Sequence, residues 1–152
     1  MATGDITLLK DPVATELLES TLPAHLAYAW TDGSPRVVPI WFQWTGSEIV
    51  MGTPGNAPKC NALDDGDTVA VSIDSTDWPY HALIVRGPAA VAHQKGVVEE
   101  YAQAAKRYFG DEQGAAWCAQ FPADVPMTRI AVTPEHVTIL DFETRFPSAI
   151  SA

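Results

Sequence analysis

The sequence predicts a mainly β domain in which antiparallel strands close into a small barrel with a few short helices beside it. Three observations predict this. About seven short runs are rich in Val, Ile, Thr and aromatic residues. Tight turn signals separate several neighbouring runs, and the regular helical crossovers of a parallel sheet are missing. No internal repeat or low-complexity segment interrupts the order. The 152 residues are read as one domain over 1–152, with 1–10 and 143–152 as terminal segments.

The elements follow in order. Asp11 caps and Pro12 opens a helix over residues 11–20, with Val13, Leu17 and Leu18 on one face. Residues 25–30 read as a strand, and the Asp32-Gly33 step then turns the chain. Residues 36–44 form the next strand, where Pro39 marks an edge, a bulge or a ligand-facing break. Thr45-Gly46-Ser47 turns it into a strand over 48–53, so a three-stranded meander is expected. A short helix over 58–65 ends at Gly66. Residues 68–74 and the long run 80–93 are strands, with a bend or bulge at Gly87-Pro88. Residues 97–109 have helical period, with Val97, Tyr101, Ala104, Ala105 and Tyr108 on one stripe, and a second helix follows over 111–121. Residues 128–132 and 136–140 complete the strands.

Composition narrows the function. Nineteen acidic residues against nine Lys and Arg give a net charge of −10, which repels nucleic acid and anionic lipid. No apolar run approaches the roughly 18 residues of a membrane span. Residues 1–10 lack the pattern of a secretory signal. Cys60 and Cys118 stand far apart and read as two reduced thiols, so a cytoplasmic location is expected. The charged fraction, 18%, leaves little to cover a monomer's surface and suggests an interface with a second copy.

Motif searches exclude more than they find. Residues 52–59 lack the glycine before Lys59 that a phosphate loop needs, and Cys60 stands where Ser or Thr would bind magnesium. No dinucleotide fingerprint, nucleophile elbow, paired-histidine metal motif or nucleophile–base triad is present. No catalytic side chain and no metal ligand is therefore assigned, and any chemistry falls to a bound cofactor.

An ordered set of short pieces carries a resemblance. Pro35-Arg36-Val37-Val38-Pro39-Ile40-Trp41-Phe42 is followed by Trp44-Thr45-Gly46-Ser47-Glu48-Ile49 and Thr53. Then come Lys59-x-Asn61-x-Leu63, the strand from Val69 to Ile73, and Val85-Arg86-Gly87-x-Ala89. Over roughly residues 12–142 the chain resembles the pyridoxamine-5'-phosphate-oxidase-like split-barrel superfamily, nearest the flavin/deazaflavin-dependent oxidoreductases of its B group. The resemblance implies a six- to seven-stranded antiparallel split barrel of the FMN-binding type, and a homodimer with cofactor sites at the interface. It implies F420 or FMN as cofactor and hydride transfer to a flat conjugated small molecule. The alternative is a non-catalytic flavin, F420 or tetrapyrrole binder. Carried over by position, Val38, Pro39, Ile40 and Trp41 line the ring, Met51 and Thr53 lie near the ribityl chain, and Lys59 with Asn61 binds the phosphate. The Ser-Arg-Lys phosphate cluster of true pyridoxamine-phosphate oxidases is replaced by Ala57-Pro58-Lys59, which favours F420 over FMN.

Each assignment has a plainer competitor. Lys59 is a surface lysine unless it seats a phosphate. Of the alternating Trp41, Phe42 and Trp44, at least one is core. Trp78, in a loop, is placed at the rim of the site or at the dimer seam. Arg86 is expected to pair with an acid such as Asp74, and residues 142–147 are expected to dock on the partner subunit.

Overall fold

The structure, a computed structural model, describes residues 2–145. Seven of its strands have six residues or more: β2 (Ala24–Ala29), β3 (Pro35–Ile40), β5 (Ile49–Pro54), β6 (Thr68–Asp74), β7 (His81–Lys95), β8 (Pro126–Val132) and β9 (His136–Asp141). Two are short, β1 (Ala2–Thr3) and β4 (Gln43–Trp44). Three α-helices, α1 (Pro12–Leu18), α2 (Glu99–Phe109) and α3 (Asp111–Cys118), flank them.

Alternation along the strands decides which face is core. Val38, Leu26, Val71, Val85 and Val137 stand side by side across β3, β2, β6, β7 and β9 and point into the core. Fully burying each such side chain contributes about 1.5–3 kcal/mol. The neighbouring row, Val37, Ala27, Ala70, Arg86 and His136, faces outward. In the second sheet, residues 89–95 of β7 pair with β8, β8 with β5 and β5 with β4, and Met51, Ile130 and Val91 form its core-facing row.

One long strand joins the two sheets. Residues 82–88 of β7 pair with β6, and residues 89–95 pair with β8. The change falls at Gly87-Pro88, the bend read from the sequence. Gly87 is needed because the backbone of Thr133 crosses directly over it. The barrel is split, as the resemblance implies: β3 and β4 end the ladder and do not pair with one another.

The expected meander needs correction. β3 pairs only with β2, while β4 pairs with β5 in the other sheet. The chain leaves β3 because Phe42 is drawn into the core, at 0% exposure. Arg107 of α2 then supplies the donors that a neighbouring strand would have given. It hydrogen-bonds Phe42 O and Gln43 Oε1, and its Nε donates to Ser20 O at 3.0 Å. The helix expected over 58–65 is a single 3-10 turn, Pro58–Asn61.

The first helix forms as read: Asp11 Oδ1 accepts from Val13 N–H at 2.9 Å, and Pro12 opens α1. Its buried Val13, Ala14, Leu17 and Leu18 join the core cluster. Within the described residues, the segment after β9 packs on its own chain. Phe142 packs on Tyr80 at 4.5 Å between ring centroids, and Arg145 pairs with Asp11 at 2.9 Å and with Asp141 at 3.3 Å. Phe146 and Pro147 lie outside the described residues. Arg86 does not pair with Asp74 either: it stands opposite Ala70, whereas Asp74 is opposite Ala82 and lies 3.7 Å from His25.

Asp141 anchors this C-terminal turn. Burial alone raises its pKa, but hydrogen bonds from Thr144 Oγ1–H and from the N–H groups of Thr144 and Glu143 outweigh that and bring it to about 2. A depressed carboxylate pKa stabilises the fold above its unfolded value of 3.8 and loses the effect as pH falls through about 2. Asp141→Asn is therefore expected to cost roughly 1–2 kcal/mol at pH 7. The gap from wild type narrows at pH 2.5, as urea unfolding at the two pH values would show.

Candidate functional site

A cleft of about 360 Å³ opens where the ends of β3 and β5 meet the 3-10 turn and α2. Its walls are Pro23, Pro39, Ile40, Trp41, Gly52, Thr53, Pro54, Lys59 and Tyr101. The structure thus brings together five residues singled out in the sequence: Pro39, Ile40, Trp41, Thr53 and Lys59. Four others lie elsewhere. Val38 packs inward against the core, and Met51 is fully buried within it. Asn61 is exposed beyond the cleft's lining. Trp78, 70% exposed, sits in the β6–β7 loop against Tyr80 and Phe142.

Each wall has a local cause. Pro39 lies in β3, which pairs on one side only, so its missing N–H breaks no inner ladder. Trp41 has left the ladder and stacks on Tyr108 at 5.0 Å and 14°, with Phe109 edge-on at 5.0 Å. Two contacts from α2 fix this end of the cleft: Arg107 on the Phe42 and Gln43 groups, and Tyr108 O–H on Leu22 O at 2.7 Å.

Pro23, Gly52, Pro54 and Tyr101 are the members that sequence reasoning missed. In the sequence Tyr101 stands only as part of a helical stripe. It reaches the cleft because Gly52 has no side chain: a Cβ there would stand 2.8 Å from Tyr101 Cβ. A glycine inside a strand pattern is the signal that marks such a close approach. Trp117 Nε1–H donates to Tyr101 Oη at 2.9 Å, leaving the phenol's own proton able to donate. Burial raises the Tyr101 pKa, which keeps it protonated.

Lys59 supplies the cleft's one cationic side chain. Burial lowers its pKa below the ordinary lysine value, and among the described residues no carboxylate pairs with it. The four-residue turn adds little dipole, so attraction for an anion rests on the ammonium itself. Cys60 turns away, its thiol weakly directed at Pro54 O at 3.6 Å. Among the described residues no His, Cys, Asp and Glu cluster is arranged to hold a metal ion, and no helix is long and apolar enough to cross a membrane. The cleft therefore offers one desolvated cation, hydroxyls from Thr53 and Tyr101, and a flat apolar flank.

No protein-family model matches the chain, and no curated protein matches it. Solved structures do. An F420 reductase is 27% identical and superposes with a TM-score of 0.61 over 80% of this chain and 93% of its own. A protein of the pyridoxinephosphate oxidase family from Clostridium acetobutylicum, related to general stress protein 26, is 14% identical at 0.61, covering 90% of both chains. The chain shares the split-barrel fold of these proteins. Another split-barrel relative, an FAD and heme binding protein from Mycobacterium smegmatis, is 17% identical at 0.61, over 97% of this chain and 76% of its own.

Proposed function

We propose that this split-barrel protein is a flavin- or deazaflavin-dependent oxidoreductase of the B group, binding F420, with FMN as the second candidate, in the cleft around Lys59. The observation that carries the proposal is the pairing of a desolvated, unpaired Lys59 with the flat flank of Pro39, Ile40 and Trp41. A phosphate on a flat ring system is complementary to that pair. The F420 reductase at 27% identity supports the choice of cofactor class.

The chain's own residues have defined tasks. Lys59 holds the phosphate and Thr53 donates a hydroxyl beside it. Pro39, Ile40 and Trp41 flank the ring, and Tyr101 offers a phenolic proton to a ligand acceptor. When bound, the cofactor supplies two-electron hydride chemistry to a flat conjugated substrate. Val38 and Met51 support the site from the core, and Asn61 stays at its exposed margin. Anaerobic fluorescence titration with F420 and FMN should give a Kd below about 100 µM for one of them, a binding free energy near −5 kcal/mol. Binding of neither would rule the function out.

The protein acts as a homodimer in this proposal, with each cleft finished by the second copy. The outward face of the larger sheet supports it: Val37 is 64% exposed, in a row with Ala27 and Ala70 that nothing covers among the described residues. Trp78 belongs to that seam. Val37→Arg is expected to convert the dimer to monomer in sedimentation velocity. A monomeric wild type would refute the assembly.

A further inference from the structure

We propose a second, separate ligand site that takes a small amphipathic organic acid. It is a cavity of about 640 Å³, larger than the Lys59 cleft, walled by the N-terminal segment, the β4–β5 turn and the β8–β9 turn. The two sites lie toward opposite ends of β5: the cleft touches Gly52, Thr53 and Pro54, whereas the cavity touches Gly46 and Ser47 in the turn before it. Its size suits a drug-sized molecule.

Lining chemistry selects the ligand. Leu9, Trp44 and Pro134 give an apolar surface for a hydrocarbon or aromatic body. Lys10, Ser47 and Thr133 give hydrogen-bond donors at its edge. No carboxylate lines the cavity, although the chain carries nineteen Asp and Glu against nine Lys and Arg. Lys10 makes no ion pair among the described residues, and the Trp44 indole N–H has no acceptor there. An apolar body with one anionic head matches this lining. A neutral ligand leaves the ammonium unmatched, and a polyanion finds a single cation.

The test uses the full chain and 8-anilinonaphthalene-1-sulfonate, itself an amphipathic acid, whose fluorescence reports occupancy. Saturable one-to-one binding is expected, with decanoate displacing the probe about tenfold better than decanol, the size of one charge-assisted hydrogen bond. Lys10→Met lies on an exposed side chain and should erase that preference while leaving decanol displacement unchanged. Ser47→Glu should weaken decanoate alone. Lys59→Ala should change none of these values. The proposal is overturned by absent saturable binding, by equal displacement with acid and alcohol in the wild type, or by a preference that survives Lys10→Met. Displacement lost in Lys59→Ala would put the probe in the cleft and equally overturn it.

Discussion

Gly87→Ala is expected to destabilise the protein by more than about 3 kcal/mol, and to leave much of it insoluble. A Cβ at this position would stand 1.8 Å from Thr133 O and 2.9 Å from the carbonyl carbon. Both are backbone atoms, so no rotamer change relieves the clash. Nor is that turn free to move. Thr133 N–H donates to Pro88 O at 3.1 Å and Glu135 N–H to Arg86 O at 2.9 Å, on either side of Gly87. Opening the contact breaks these bonds and separates β7 from β8 and β9, the strands that carry Val137, Ile130 and Val132 into the core. Gly33→Ala is the matched control. It has a positive φ of 84° but nothing within 4 Å, so it should cost only about 1 kcal/mol of backbone strain. Urea midpoints of the two variants separate the mechanisms. A Gly87→Ala midpoint no lower than that of Gly33→Ala would mean that the close approach is absent.

Gly87 also shows what the sequence makes legible. The Gly87-Pro88 step marked a bend in a long strand, because both residues interrupt a ladder. It did not reveal that the bend is where one strand passes from one sheet to the other. That depends on which distant strands arrive on either side, and loops joining them carry no code for it. The same limit explains the meander. Residues 36–44 have β propensity throughout, and nothing local shows that Trp41 and Phe42 leave the ladder. The reason sits some sixty-five residues later, in Arg107, whose donors replace those of a neighbouring strand. Turns, caps and alternation are local and legible in the sequence: Asp11 caps α1, and β6 spans the residues expected of it.

The site divides along the same line. Pro39, Ile40, Trp41, Thr53 and Lys59 fall on segments with an ordered resemblance, and they meet in one cleft. Met51 has the opposite fate because alternation turns it to the inner face while Gly52 faces α2. Tyr101 arrives from a helix that the resemblance did not mark, so only the packing at Gly52 exposes its role. Arg145 is a related case. A Phe-x-x-Arg pair near a chain end resembles an interface anchor, yet Asp11 and Asp141 of the same chain are its partners. Which acid lies close is a property of the fold.

Lys59→Ala is expected to weaken binding of the phosphate-bearing cofactor by roughly 10–100-fold, or about 1.5–3 kcal/mol. Cofactor-free, Lys59 is a partly desolvated ammonium without an acid partner, and burial has already lowered its pKa from 10.5. A phosphate reverses that situation by supplying the missing counter-charge. The loss on substitution should therefore appear with FMN and be nearly absent with riboflavin, which has the same ring and no phosphate. The pH dependence has a fixed sign. Raising pH through the lowered Lys59 pKa removes the ammonium, so wild-type affinity for FMN should fall at a less alkaline pH than an ordinary lysine would give. In Lys59→Ala that part of the profile should be flat. Stability should move the other way: Lys59→Met removes a desolvation cost, so the cofactor-free variant should unfold at equal or slightly higher urea. A residue kept at some cost to the empty fold, and recovered only when an anion arrives, is a binding residue. If FMN and riboflavin lose affinity alike in Lys59→Ala, the phosphate is held elsewhere and the cleft's cation has a structural role only.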